Sequence, residues 1–365
     1  MEFALTAEQT QLRDTVAQFL ESRCPISHTR EVMTSTPGYD KERWVNLGRD
    51  MGLGGIHAPT ECGGAGLSYS ETCIVLEQMG NALYCGPYFS SNVLAVNALL
   101  IGGTTESRQF LADLVSCNRT ATIAFIEEDA LWNLSGVQCS ERDGRINGEK
   151  SYVFNGSSAD LILVIARCQP EGIFGLFALD GGAKGLHKDS VKSLDLTRQL
   201  ARLTLKNADA LRLADWNEHK HRQFLDLACI ALANEMVGGA QRMLDSALEY
   251  SSTRVQFGRT IGSLQAIKHK CAEMLLKIEF ARSAALCAAQ FVRDESERSK
   301  MASMAKAMAS DAFMNAASEC IQIHGGIGFT WENDTHLWYR RAKSSEVYLG
   351  DSNYHRENYL QSLGL

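Results

Sequence analysis

No run of about 18 apolar residues passes without a charge, so no membrane-spanning helix is expected. The opening Met1-Glu2-Phe3-Ala4-Leu5 lacks the basic-then-apolar pattern of a secretory leader, and a cytoplasmic location is expected. No CxxC pair and no Cys/His spacing points to zinc. The 11 cysteines are scattered through helix-like and strand-like segments, so buried reduced thiols are expected, not a disulfide framework. Positive charge is in deficit, 36 Lys and Arg against 43 Asp and Glu, and the net −7 weighs against nucleic acid as the main partner. A phosphate-bearing ligand needs only a local basic patch and stays open. No internal repeat or low-complexity linker breaks the chain.

A length of 365 residues predicts two or three domains. Residues 1–117 read as a helical domain. Thr6 and Gln9 form a capping box, and Leu12, Val16, Phe19 and Leu20 follow at helical spacing. Pro59 to Leu67 (PTECGGAGL) is a glycine-rich turn before an amphipathic helix over Glu71 to Met79. Residues 118–215 read as a β domain. Short β-branched or aromatic runs (Thr120–Phe125, Lys150–Phe154, Leu161–Ala166, Phe174–Leu179) are separated by turn signals such as Asp143-Gly144 and Asn155-Gly156. Residues 216–365 return to helix, poor in glycine and proline and rich in small residues such as Ala302, Ala305 and Ala312, which suits close packing in a bundle or at a subunit interface.

Two segments carry the chemistry. In Arg254-Val255-Gln256-Phe257-Gly258-Arg259, an arginine offers a fork of donors for a pyrophosphate, Phe257 an apolar face, and Gly258 a tight bend between two helices. An ion pair and a core contact at a helix end explain Arg254 and Phe257 equally well. In Gln322-Ile323-His324-Gly325-Gly326-Ile327-Gly328-Phe329, a long helix ends in a glycine turn whose bare backbone can approach a phosphate or adenine. A plain helix C-cap accounts for it too.

Together and in this order, these segments resemble the two C-terminal signatures of acyl-CoA dehydrogenases. Leu5-Thr6-Ala7-Glu8-Gln9 looks like that family's first helix start, and the turn at Pro59 to Leu67 resembles its glycine-rich turn. The resemblance implies a mainly α fold: an N-terminal helical domain, a middle β-barrel-like domain and a C-terminal four-helix bundle. It further implies a tetramer with FAD held between subunits, an acyl-CoA substrate and an electron-transfer flavoprotein as acceptor. By that match Arg254, Phe257, Gln265, Gln322, Gly325 and Gly326 reach toward the FAD of a neighbouring subunit.

The chain departs from the family pattern elsewhere. The resemblance puts the usual catalytic glutamate in a Tyr-Glu-Gly-Thr run, which here reads Tyr348-Leu349-Gly350-Asp351. The alternative glutamate position is Ala228, followed by Cys229 where an arginine is usual. The flavin-contacting loop reads Ile126-Glu127-Glu128-Asp129-Ala130-Leu131-Trp132, and the Trp-Ile-Thr motif reads Tyr152-Val153-Phe154, without its hydroxyl. Motifs that serve the chain's own flavin are altered, and those that reach a neighbour's are kept. That pattern resembles the non-catalytic subunit of heteromeric bacterial acyl-CoA dehydrogenases, best known from steroid side-chain breakdown, and implies a second dehydrogenase chain as partner.

One acid opens another reading. Glu235 lies two turns beyond Ala228 on nearly the same helix face, so it is a candidate displaced base or else an ion-pair partner of Arg242. His269, His324 and His355 are acid–base groups by type only, with no catalytic role assigned. Three functions are therefore carried forward: a heteromeric subunit, a self-sufficient homotetramer using Glu235, and a CoA- or flavin-binding scaffold without turnover.

Overall fold

The computed structural model describes residues 5–129 and 132–365, so Met1–Ala4 of the opening segment, with Ala130 and Leu131 of the altered loop, lie outside the described residues. The chain divides into two compact units. One combines the segment up to Thr29, Tyr69–Tyr84 and Cys229–Leu365; the other combines Arg30–Ser68 and Cys85–Ala228. These units interleave along the chain.

In the first unit, α1 (Ala7–Arg23) starts at the expected capping box. Gln9 N–H donates to Thr6 Oγ1 at 3.2 Å, and Thr6 N–H donates to Gln9 Oε1 at 3.1 Å. The chain continues through α2 (Ile26–Val32) and, in the other unit, α3 (Lys41–Arg49) before α4 (Tyr69–Asn81) returns to pack on α1. The glycine turn ahead of α4 is present, with Gly63 at φ 83° and Gly66 at φ 64°. After α5 (Val96–Gly102), α6 (Thr105–Arg108) and α7 (Leu111–Val115) the chain enters the sheet.

Among the described residues the β region has eight strands: β1 (Ala121–Ala124), β2 (Ser140–Arg142), β3 (Arg145–Phe154), β4 (Leu161–Cys168), β5 (Phe174–Asp180), β6 (Leu186–Val191), β7 (Leu200–Asp209) and β8 (Leu211–Trp216). They form one sheet in the order β6-β7-β3-β2-β4-β5-β8, with β1 parallel to β4. Asp143 and Gly144 both take positive φ (51° and 76°) between β2 and β3, the type I′ geometry the Asp-Gly pair favours. Alternate residues Ala201, Leu203 and Leu205 of β7 meet Ile162 and Val164 of β4 and Phe177 and Leu179 of β5 in one core.

Helix then persists through α8 (Glu218–Thr253), α9 (Gln265–Gln290), α10 (Glu295–His324), α11 (Thr335–Val347) and α12 (Ser352–Ser362), with a short hairpin, β9 (Val255–Gln256) and β10 (Arg259–Thr260), between α8 and α9. In this helical bundle α10 packs against α9, α11 and α12. Ala302, Ala305, Ala309, Ala312 and Ala316 recur every three or four residues along α10 and are buried, so its neighbours approach closely.

Two glycines let α4 cross α8 backbone to backbone. A Cβ on Gly80 would sit 1.9 Å from the Glu235 carbonyl, and one on Gly238 would sit 1.7 Å from the Glu77 carbonyl. Neither carbonyl can turn away without breaking its helix. Gly238→Ala is therefore expected to destabilise the chain by about 1–3 kcal/mol or more through overpacking. Gly182→Ala, whose Cβ would meet only Asp180 Oδ1 at 3.5 Å, should change stability by less than about 0.5 kcal/mol. Chemical denaturation of the two variants checks this, and equal midpoints would refute a close crossing.

Buried histidines couple stability to pH. In the second unit His221 Nδ1 accepts from Trp216 Nε1 at 3.2 Å and Nε2 donates to the Trp132 carbonyl at 2.6 Å, which uses both nitrogens of a neutral ring. Burial pushes its pKa down to about 4. In the first unit His355 donates from Nε2 to the Leu349 carbonyl at 2.9 Å, and burial followed by the charge of Lys306 brings it to about 4 as well. Both folded values lie below the ordinary 6.5. The stabilisation is thus complete above about pH 6.5 and is lost as pH falls toward 4, because the unfolded chain binds the extra protons. Burial brings His57 to about 4 as well, and with three sites the slope reaches about 4 kcal/mol per pH unit within that window. His355→Gln should remove about a third of it in melts taken between pH 6.5 and 4.5, and a flat profile in the parent protein would defeat the argument.

Candidate cofactor-facing site

The Arg254 segment is a hairpin and not the bend between helices read from the sequence. The Arg254 N–H donates to the Tyr250 carbonyl at 2.9 Å, the last step of α8, and the Ile261 N–H returns to the Arg254 carbonyl at 2.9 Å. Gln256 pairs with Arg259, which leaves Phe257 and Gly258 as a two-residue loop with φ of 55° and 75°. The first position of such a turn suits Asn or Asp, and a phenylalanine held in the left-handed region costs on the order of 1–2 kcal/mol. Its ring is 89% exposed, so it is not the core contact considered above. A strained backbone that presents a bare aromatic ring gains nothing inside this chain.

The second segment shows the same outward bias. α10 ends at His324, and Gly325 takes φ 68°, ψ −148°, a conformation essentially restricted to glycine. Gly326 differs: its φ is not positive, and an added Cβ would meet nothing within 4 Å. Neither packing nor conformation within the chain calls for glycine at 326. What glycine leaves there is uncovered backbone facing outward, the feature a closely approaching polar ligand requires. Gly328, by contrast, is filled in by His324 Cβ at 2.9 Å.

The two segments are joined at their roots. The Tyr250 ring, one turn before Arg254, stacks on the His324 ring next to Gly325, with centroids 4.2 Å apart and planes at 20°. Gln265 opens α9 on the exposed side just after the hairpin, and Gln322 lies exposed on the last turn of α10. The side chains of Arg254, Phe257, Gln265 and Gln322 make no hydrogen bond, ion pair or ring contact with any described residue. Val255, Ile327, Phe329 and Trp331 add half-exposed apolar surface around them. A cationic fork, two amides, an aromatic ring and free backbone amides match the pyrophosphate and ring systems of a dinucleotide, so this side of the first unit fits FAD.

The altered positions divide: Leu349, Ala228 and Phe154 are buried, while Tyr152, Glu128, Asp129 and Asp351 are exposed. Leu349 is buried with φ 64°, and Gly350 follows at φ 100°. Here the fully buried Lys306 ammonium donates to the carbonyls of Glu346 at 3.1 Å and Gly350 at 2.9 Å and to Ser310 Oγ at 3.1 Å. Lys306 thereby satisfies the Glu346 carbonyl in the last turn of α11 and the Gly350 carbonyl just beyond it, a structural cation at the negative end of a helix. Asp351 accepts from the Tyr354 N–H at 2.8 Å and caps α12. Ala228 is fully buried.

In the second unit the Phe154 ring is buried edge-on against Phe89, centroids 6.0 Å apart, with the Arg198 guanidinium 5.2 Å from its centroid. Glu127 accepts from Lys150 Nζ at 2.7 Å and from the Gln138 and Cys139 N–H groups at 2.9 and 3.0 Å. Burial of that carboxylate opposes ionisation, but the Lys150 charge and these donors outweigh it, so its pKa lies below the ordinary value.

Glu235 is not paired with Arg242. Its carboxylate accepts from Arg341 Nη1 at 2.5 Å, with both side chains buried, while Arg341 Nη2 reaches the Tyr84 carbonyl at 3.4 Å. Arg242 lies instead over the Trp338 ring, 5.9 Å from its centroid. Sequence reasoning passed over Tyr250 and Lys306, and it offered Arg341 as a partner for Glu332, not for Glu235. Lys306 alone left a signal, a single lysine in an otherwise small and apolar stretch of α10. None of the 11 cysteines is in a disulfide; nine are buried, while Cys62 and Cys287 are half-buried.

A helical unit, a β region built on one sheet and an outward dinucleotide-fitting hairpin define a flavin-dependent dehydrogenase architecture. The description "Acyl-CoA dehydrogenase, N-terminal domain" matches residues 6–118, and "Acyl-CoA dehydrogenase, C-terminal domain" matches residues 221–364. The chain is 32% identical to acyl-CoA dehydrogenase IpdE2 of Mycolicibacterium smegmatis over 352 residues, 95% of this chain and 96% of that protein. Among solved structures it superposes on a variant of the Tcur3481–Tcur3483 steroid ACAD with TM-score 0.88 at 28% identity, covering 98% of each chain. It also superposes on the ChsE4–ChsE5 complex of Mycobacterium tuberculosis with TM-score 0.89 at 27% identity, covering 100% of this chain and 99% of that one. The chain belongs to the acyl-CoA dehydrogenase family, whose members are FAD flavoproteins. No helix among the described residues is long and apolar enough to cross a membrane.

Proposed function

We propose that this chain is a subunit of a heteromeric FAD-dependent acyl-CoA dehydrogenase that completes the flavin site of a second, catalytic chain and lacks a base of its own. The reaction is α,β-dehydrogenation of an acyl-CoA in the cytoplasm, with an electron-transfer flavoprotein as acceptor. The steroid enzyme and the two-protein complex among its structural relatives favour a steroid side-chain thioester as substrate and a heterotetramer as the assembly. One observation carries this reading. The side chains of Arg254, Phe257, Gln265 and Gln322 have no partners among the described residues and face outward with Gly325 and Gly326, while Leu349 and Ala228 stand where a base is required and cannot accept a proton. FAD, when bound, supplies hydride acceptance. This chain's residues would hold its pyrophosphate and adenine.

Flavin stoichiometry tests the proposal. An assembly of two of these chains and two partners should hold two FADs, since Phe154 has no hydroxyl to donate and its ring is packed into place. Released flavin measured against protein, with chain ratio from native mass spectrometry, decides it; four flavins per four chains would end the proposal. A yellow, active homotetramer of this chain alone would favour the reading that uses Glu235, and a stable colourless protein that binds acyl-CoA would favour the scaffold.

A further inference from the structure

The first unit contains a cavity of about 420 Å³ between the C-terminal ends of α1 and α4, with α8 and α11 contributing one residue each. That volume is in the range of small-molecule sites. Leu20 and the Trp338 ring, both buried, give it apolar walls. Its polar lining is Glu21 on α1, Gln78 and Asn81 one turn apart on α4, and Arg242 on α8. None of these four side chains makes a hydrogen bond or ion pair with a described residue; Arg242 meets only the Trp338 ring.

A carboxylate and a guanidinium therefore line one cavity without meeting. No ion pair joins them, so the two charges stand more than 4.0 Å apart in the cavity lining. A ligand with a single negative charge would satisfy Arg242 and be repelled by Glu21; a single positive charge fails the other way. A polyphosphate would face one cation. A ligand carrying both charges answers both groups, with the two amides between them to hydrogen-bond its polar atoms.

We propose that this cavity binds a small zwitterion with an apolar body, on the scale of an apolar amino acid. Its carboxylate meets Arg242, its ammonium meets Glu21, and its apolar part lies against Leu20 and Trp338. The site is separate from the cofactor-facing one: Arg242 and Arg254 are 12 residues apart on and just beyond α8, about 18 Å along the axis. It stands whether or not the chain is a heteromeric subunit.

The test is calorimetric titration of the full chain, in the assembly in which it purifies, with L-leucine and L-phenylalanine. Hexanoate and hexylamine serve as single-charge comparisons. At least one amino acid should bind tenfold or more tightly than both comparisons. Arg242→Gln and Glu21→Gln should each weaken it tenfold or more, and both positions are exposed, so neither change should unfold the chain. Arg254→Ala should leave this binding unchanged. No detectable binding of either amino acid, hexanoate binding as well as leucine, or binding unaffected by the two substitutions would each overturn the proposal.

Discussion

Arg254→Ala is expected to strip FAD from the assembled enzyme without unfolding this chain. The guanidinium is exposed and has no partner among the described residues, so its removal costs the fold little. In the assembly it would face a pyrophosphate, and hydrogen bonds to charged groups contribute roughly 1.5–3 kcal/mol. That corresponds to a flavin affinity weaker by about 10- to 150-fold. Flavin absorbance after gel filtration reads the loss, and the melting temperature of this chain serves as the control. Arg254→Lys should recover part of the affinity, because a point charge replaces some of what the planar fork provides. Phe257→Ala offers a second measure of the same surface and should cost the fold little, since no ring contact inside the described residues is lost and the left-handed strain is the same for both residues. Full flavin occupancy in Arg254→Ala would show that the hairpin does not reach a cofactor.

What could be read from the sequence was local. The capping box at Thr6 and Gln9 and the turn at Asp143-Gly144 depend on residues a few positions apart, and both formed as expected. The small-residue stripe of α10 was legible for the same reason. β7 was missed although Ala201, Leu203 and Leu205 alternate with Arg202, Thr204 and Lys206, because the charged face conceals a half-buried strand. The hairpin at Phe257 was read as a bend because each of its strands is only two residues long, too short for any period to register. Contacts between distant segments left no trace at all. The Tyr250–His324 stack and the Glu235–Arg341 pair join residues on different helices, and only the folded bundle brings them together. The outward character of the candidate site was inferred through family resemblance, and its physical ground, unpartnered side chains and an unneeded glycine, is visible only in three dimensions.

The Glu235–Arg341 pair gives the sharpest separation between a structural acid and a base. Both side chains are nearly inaccessible, at 7% and 5% exposure, so removing one charge leaves the other desolvated and uncompensated. Such a break typically costs about 3–5 kcal/mol, and Glu235→Gln, which keeps an acceptor oxygen, should fall at the lower end. Turnover per bound flavin should stay within a few-fold of the parent, whereas loss of a true general base lowers it by about 10²–10⁴. The double variant Glu235→Gln/Arg341→Met should regain much of the lost stability, because a buried ion pair replaced by apolar volume is often neutral or better. A catalytic glutamate predicts the opposite outcome: stability little changed, activity gone, and no rescue by Arg341→Met. Denaturation midpoints and flavin-normalised rates on the same three preparations distinguish the two, and a thousandfold loss of rate with flavin retained would make Glu235 the base and this chain a complete enzyme.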